Sequence, residues 1–421
     1  MIKRNIVSKI LPWIGKQKII ILKGSRQVGK TTLLNVIKEK ILGKDKQAQV
    51  AYLSADDIDN APFFSSPDAL ETYLKQLYGF PDKYIYLLID EFQAISQAGL
   101  FLKNVFDRHK GNLQIIVSGS SSLAITKNSE FLTGRAINFD IARISFLELF
   151  NYAGQTEAKI ISLGDFKEIG LFYRTFSGRL NLLFQEYITF GGYPEAVAAK
   201  KAEEKKVILE SIVKVYLEKD VINFLKVENI TAFNQLLRIL AAQAGNLVNA
   251  RELSNTLNIS INTLNKYLEI LQGTYLFDLI RPFSTNPRSE ISKMPKAFIL
   301  DLGLRNYLLK NFDYLEPERG ALAENFVYLA LLEQYGKDQI NFYRKLGGSE
   351  IDFVIDRGRG KTLCEVKYRS QVGEPLAFKN FSKKYGGFKL NKLVITKDLV
   401  KEENGVHYLP VVMLPFIRLE E

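Results

Sequence analysis

Histidine and cysteine are nearly missing from this sequence, with two histidines, His109 and His407, and one cysteine, Cys364, among 421 residues. A single thiol excludes internal disulfides and cysteine-rich metal sites, and it fits a reducing compartment. Two histidines argue against a histidine triad or a histidine metal centre. No apolar run reaches the roughly 18 residues of a membrane helix, and the basic start Met1-Ile-Lys-Arg-Asn-Ile-Val-Ser-Lys9 lacks the apolar core of an export signal. The expectation is a cytoplasmic chain with no membrane partner. Acidic residues are outnumbered, 46 Asp and Glu against 57 Lys and Arg, for a formal net charge of +11. A field of that sign attracts polyanions, so DNA or another nucleic acid is the first partner to test. The excess is spread along the chain, and a merely basic, soluble surface accounts for it equally.

A chain of this length is too long for one ordinary core, so two or three domains are expected. They are organised around Lys18-Ile-Ile-Ile-Leu-Lys-Gly-Ser-Arg-Gln-Val-Gly-Lys-Thr-Thr32. This stretch runs from a β-branched strand through a glycine-bracketed loop into an amphipathic helical segment, Thr31 to Leu42. Within it, Gly24-Ser25-Arg26-Gln27-Val28-Gly29-Lys30-Thr31 satisfies the phosphate-loop pattern G-x-x-x-x-G-K-[ST]. Gly24 and Gly29 let the backbone curl so that successive N–H groups face phosphate oxygens, and the helix N-terminus adds partial positive charge. Lys30 is expected to reach the β- and γ-phosphates of ATP, and the Thr31 hydroxyl to ligate Mg²⁺. Thr32 is either a further nucleotide-binding position or a helix-start residue.

Residues 3–15 read as a short amphipathic helix, with Trp13 near the nucleotide entrance. Tyr84-Ile-Tyr-Leu-Leu-Ile-Asp-Glu91 is a continuous apolar run, the pattern of a fully buried parallel strand, ending in two carboxylates. It looks like a Walker B element: Asp90 would hold the Mg²⁺ shell and Glu91 would polarise the attacking water. Gln93 either orients water or starts a helix. Asn112-Leu-Gln-Ile-Ile-Val-Ser-Gly-Ser-Ser121 is another buried strand, with small polar residues at the carboxyl end where open α/β sheets bind ligands; Ser118 is the candidate γ-phosphate sensor. In Phe131-Leu-Thr-Gly-Arg135, Arg135 is either an arginine finger, in its own subunit or from a neighbour in a homo-oligomer, or a surface ion-pairing residue.

The stretch from Lys18 to about Leu149 resembles the AAA+-type ATPases often called archaeal ATPases, through the Arg-Gln-Val-Gly-Lys-Thr-Thr loop, the Leu-Ile-Asp-Glu strand, Ser-Gly-Ser-Ser-Ser and Leu-Thr-Gly-Arg. Gly191-Gly-Tyr-Pro-Glu195 also matches that family's lid. The resemblance implies an ATP-binding core followed by a carboxyl-terminal half of largely undefined function.

From Gly164 to Leu240 the pattern is helical, the expected lid and connector, with Asp220 an exposed helical carboxylate or a contact to the ATPase face. Leu247 to Ile259 and Ser260 to Leu271 have helix-turn-helix spacing, and the second helix exposes Asn262, Thr263, Asn265 and Lys266. Tyr275 to Arg281 and Lys296 to Asp301 supply two strands of a wing. Such a winged helix serves either DNA or protein docking.

The last segment carries Glu324 on a helical stretch, Asp352 in Ser349-Glu-Ile-Asp-Phe-Val-Ile355, and Glu365 with Lys367 in Leu363-Cys-Glu-Val-Lys-Tyr368. With Arg357-Gly-Arg-Gly360 as a four-residue hairpin loop, Asp356 pairs with Lys361 and Asp352 stands opposite Glu365. Opposed like charges destabilise a sheet unless something offsets them. A divalent cation bound by Asp352 and Glu365 would do so, with Lys367 stabilising the transition state of phosphodiester hydrolysis. The pattern resembles the PD-(D/E)xK nuclease superfamily, with Glu324 in the matching helix position and Ile351 where proline is usual. The alternative is a solvent-facing strand pair in which Glu350 and Lys367 neutralise each other.

The expected architecture is therefore α/β: a P-loop NTPase (AAA+-like) parallel sheet at 1–155, a helical lid at 156–240, a winged helix-turn-helix at 241–305 and a restriction-endonuclease-like α/β domain at 306–421. The expected function is Mg²⁺-dependent ATP hydrolysis coupled to nucleic-acid binding or processing. The alternative is an ATP-dependent docking switch whose nuclease-like domain is inactive.

Overall fold

The computed structural model describes residues 2–120, 130–218, 221, 227–286, 290, 293–313, 316–345 and 349–419. Asp220, Ser121 and Ser122 lie outside the described residues. The chain forms two compact units, one built mainly from residues 3–143 with 273–275, the other from 144–272 and 276–421.

The first unit is a five-stranded parallel sheet: β1 Ile19–Lys23, β2 Gln49–Ser54, β3 Ile85–Asp90, β4 Leu113–Gly119 and β5 Ala136–Asp140, in the order β2-β3-β4-β1-β5. The inner strands are apolar on both faces, as a parallel sheet covered on two sides demands. Ile19, Ile21, Leu87, Ile89, Ile115 and Val117 join one core with Leu70, Leu74, Leu102 and Val105 from the covering helices. All five strands point the same way, so their carboxyl ends share one edge, where ligands of open α/β sheets bind. The phosphate loop follows β1 and leads into helix α1, Lys30–Lys44. Trp13 is not at that edge: its carbonyl accepts from Gln114 Nε2 at 2.8 Å, and Gln114 lies near the amino end of β4.

The second unit contains the long helix α2, Phe166–Phe190, and, further on, α3 Ile230–Ala242, α4 Ala250–Thr256 and α5 Ile261–Gly273. Ser260 accepts from the Thr263 N–H at 3.0 Å, starting α5 as a capping serine should. An antiparallel pair follows, β6 Phe277–Ile280 and β7 Lys296–Ile299, then α6 Leu302–Leu309 and α7 Glu316–Tyr335.

The unit ends in a mixed six-stranded sheet: β8 Ile340–Lys345, β9 Ser349–Arg357, β10 Gly360–Lys367, β11 Lys389–Thr396, β12 Lys401–Glu403 and β13 Val406–Pro410, in the order β12-β13-β11-β10-β9-β8. Asp356 pairs with Lys361, as the hairpin register requires, but Arg357 also pairs with Gly360. The connection is thus two residues, Gly358 and Arg359, rather than four, with Gly358 at φ +75°, as a tight hairpin turn needs. Phe416 packs its ring against Phe146, Phe150 and Phe172 of the same unit.

Gly24 is the glycine on which the first unit depends most closely, because a Cβ there would stand 2.4 Å from the Ile141 carbonyl oxygen. Backbone cannot yield as a side chain tip can. Gly24→Ala is expected to lower stability by about 1–3 kcal/mol and to weaken nucleotide binding; urea unfolding together with nucleotide titration measures both.

Candidate functional site

At the carboxyl edge of the first sheet, the loop turns by placing Gln27 at φ +61° and Gly29 at φ +89°, while Val28 is buried beneath it. Lys30 is only 4% exposed and its Nζ donates to the carbonyls of Gly24 (3.1 Å) and Ser25 (2.8 Å). Asp90, 3% exposed, collects donors from several elements. Thr31 Oγ1 donates to its Oδ2 at 2.5 Å and the Tyr52 hydroxyl to the same oxygen at 3.2 Å. The Glu91 N–H donates to Oδ1 at 3.1 Å and the Ser118 hydroxyl to that oxygen too. Burial pushes the Tyr52 phenol well above its ordinary pKa, and the Asp90 charge adds to the effect.

Glu91 has φ +49°, a left-handed conformation costing a side chain roughly 1–2 kcal/mol. Its carboxylate accepts from Gln93 Nε2, which also donates to Ser120 Oγ at 3.0 Å. The loop residues Gly24 to Thr31, the Asp90–Glu91 pair and Ser118 are therefore brought to one edge. Thr32 is exposed on α1. The donor set fits a hydrated Mg²⁺, with a hydroxyl and a carboxylate oxygen converging beside the loop.

Arg135 is not part of this constellation within its own subunit. It precedes β5, and Ala136 lies beside Ile19 at the amino end of β1, a strand length of about 16 Å from the loop. Its Nε and Nη2 hold Asp107 at 2.7 and 2.8 Å. This is a surface ion pair, the second of the two expectations for Arg135. Two contributors escaped sequence reasoning. Tyr52 looks like an ordinary strand residue. Arg4, beside the short amphipathic helix near the start of the chain, donates to Val28 O at 3.0 Å and Ala142 O at 2.6 Å, tying the loop to the segment after β5.

In the second unit, Glu324 of α7, Asp352 of β9, and Glu365 and Lys367 of β10 come together. Beyond the Phe353–Cys364 pair, carboxylates stand in for the ladder: the Asp352 N–H donates to Glu365 Oε2 at 3.3 Å, and the Val366 N–H to Asp352 Oδ2 at 2.8 Å. Lys367 pairs with Glu365 at 2.6 Å, and not with Glu350.

The unforeseen member is Lys296, at the start of β7 and 4% exposed, whose Nζ lies 2.6 Å from Glu350, 3.2 Å from Glu324 and 3.8 Å from Asp352. Burial would lower its pKa, but the charges of Glu324, Asp352 and Glu350 outweigh that and hold it above the ordinary value. Burial raises Asp352, Glu324 and Glu365. With an ammonium already placed among the carboxylates, a divalent cation does not fit this cluster. Among the described residues, no three His, Cys, Asp or Glu side chains are arranged to hold a metal ion.

Residues 16–150 match the family model described as AAA domain. The first unit carries an AAA domain. That domain implies nucleotide binding. Residues 181–314 and 319–414 match two families described as domains of unknown function, DUF8612 and DUF4143. An uncharacterized protein of Haemophilus influenzae is 25% identical over 376 residues, 87% of this chain and 86% of its own length. An uncharacterized protein of Methanocaldococcus jannaschii is 25% identical over 401 residues, 93% of this chain and 83% of its own. The solved ORC2 protein of Aeropyrum pernix, in ADPNP and ADP complexes, aligns at 15% identity over 73% of this chain and 90% of that one with a TM-score of 0.40, too loose a likeness to carry an argument. Among the described residues no helix is long and apolar enough to cross a membrane.

The buried carboxyls give stability a pH dependence. Glu365 moves from 4.5 to about 7, chiefly through burial and then through the Asp352 charge. A raised acid holds its proton more tightly folded than unfolded, so this contribution is complete below the ordinary value and is lost as pH rises to 7. Glu365→Gln mimics the neutral form. Its urea midpoint is expected to fall less than wild type between about pH 5 and 7, the difference being on the order of 1–3 kcal/mol; equal slopes would place the titration elsewhere.

Proposed function

We propose that the chain binds ATP at the carboxyl edge of the AAA domain and hydrolyses it with Mg²⁺. The observation that carries this reading is the convergence on Asp90 of Thr31 from the loop and Ser118 from β4, with Glu91 next in sequence. Backbone N–H groups of residues 25–30 and the Lys30 ammonium would cradle the phosphates. Thr31 and Asp90 would hold Mg²⁺, which when bound neutralises charge on the β- and γ-phosphates. Glu91, oriented by Gln93, would accept a proton from the attacking water. Ser118 would sense the terminal phosphate through its tie to Asp90. Arg135 would contribute only across a subunit boundary of a homo-oligomer.

The wider task we infer is nucleic-acid binding. Asn262, Asn265 and Lys266 stand exposed on α5, the second helix of a helix-turn-helix on a chain of net charge +11, and residues of these types contact phosphates and base edges. A second reading, a docking switch in which ATP occupancy governs a protein partner, is favoured by Lys296: a nuclease-like centre filled by an ammonium binds rather than cuts.

Lys30→Ala is expected to reduce ATP turnover at least about a hundredfold; undiminished turnover would remove the loop from the mechanism. For the nucleic-acid task, Lys266→Ala is expected to weaken DNA binding uniformly across sequences and to reduce the salt slope by about one. Fluorescence anisotropy over a salt series reads both. Absence of wild-type binding at low salt favours the docking switch.

A further inference from the structure

The nuclease superfamily that the sequence around Asp352, Glu365 and Lys367 resembles would hold a divalent metal between Asp352 and Glu365; the side chains disagree. We infer that the Lys296 ammonium is the resident cation of this cluster, so that the unit is built to work without a divalent metal. The inference does not depend on the ATP reading.

An ammonium carries three donors, and the surroundings of Lys296 match that capacity: Glu350 at 2.6 Å, Glu324 at 3.2 Å and Asp352 within ion-pair reach at 3.8 Å. Its Nζ also lies 5.6 Å from the centre of the Phe342 ring, whose face favours a cation. The remaining carboxylate has its own partner, since Glu365 is neutralised by Lys367. Arg344 adds a weaker contact to Glu350 at 3.7 Å. A doubly charged ion entering beside Asp352 would meet the buried Lys296 ammonium at close range, and the carboxylates it needs are already engaged.

The backbone holds Lys296 in place as firmly as the charges do. Lys296 pairs with Ile280 across the hairpin and bridges to Leu247 on the other side. The Gly245 N–H donates to Ala297 O at 2.7 Å, and the Ala297 N–H to Asn246 O at 3.1 Å. Gly245 itself sits at φ +87°, with the Glu324 carboxylate 3.3 Å from where a Cβ would be. The segment leading into α4, the strand β7, the helix α7 and the strand β9 thus meet at one charge. Lys296 joins the helix-turn-helix to the carboxyl-terminal sheet as an electrostatic pin. An ammonium lends no Lewis acidity, so the cluster recognises and holds where a metal would activate water.

The test uses the full chain without nucleotide. Lys296→Met keeps the length of the side chain and removes its charge. Mn²⁺ binding, read by electron paramagnetic resonance of the free ion, and thermal unfolding in EDTA against excess Mn²⁺ are measured for wild type, Lys296→Met, and Lys296→Met combined with Asp352→Asn. The expected result is no Mn²⁺ site in wild type that depends on Asp352, a lowered unfolding temperature for Lys296→Met in EDTA, and a gained Mn²⁺ site that raises it again and is lost in the double variant. A folded Lys296→Met that gains no Mn²⁺ site would overturn the inference. If that variant does not fold, wild type against Asp352→Asn decides: equal Mn²⁺ binding supports the pin, and binding lost with Asp352 overturns it.

Discussion

A buried carboxylate must be met by donors or by a cation, and both units of this chain are organised by that requirement. In the first unit the carboxylate is Asp90. It accepts from Thr31 of the phosphate loop, Tyr52 of β2 and Ser118 of β4, so one anion at the tip of β3 draws together the ends of three further segments. Hydrogen bonds to a charged, buried group are among the stronger ones available to a protein. The parallel sheet makes this meeting possible, because it delivers every strand end to the same edge. In the second unit several carboxylates converge, and Lys296 answers three of them while Lys367 answers Glu365.

The difference between these two solutions is chemical. Hydroxyl and amide donors around Asp90 leave its oxygens able to exchange partners, as the proposed phosphoryl transfer would require. An ammonium tethered by backbone hydrogen bonds on both sides does not exchange. The first arrangement suits turnover and the second suits permanence. On the proposed reading the AAA domain would cycle, while the second unit would present a fixed surface made from α4, α5 and the mixed sheet.

Much of this was legible in the sequence where the signal is local. The loop, its helix and the apolar strands are written in consecutive residues, and the register of Asp356 with Lys361 follows from a turn whose residues are adjacent. The length of that turn was misjudged because Gly358 alone relieves the backbone, which pattern reasoning spread over four positions. Trp13 is misplaced, and the choice between the readings of Arg135 stays open in the sequence, for another reason: a sequence shows that a strand exists, but which end of it faces the ligand depends on the direction of every strand in the sheet. Lys296 was beyond reach. Its partner Glu324 lies 28 residues away, it begins a strand that reads as an unremarkable wing, and a lysine in a basic chain gives no sign that it will be buried.

The account makes the two carboxylate sites differ in one countable property, their need for a divalent ion. Equilibrium dialysis of the full chain against Mn²⁺, with and without a non-hydrolysable ATP analogue, reads it directly. The expected stoichiometry is one Mn²⁺ per chain, appearing only with the nucleotide. A second ion, or one bound equally without nucleotide, would contradict the account.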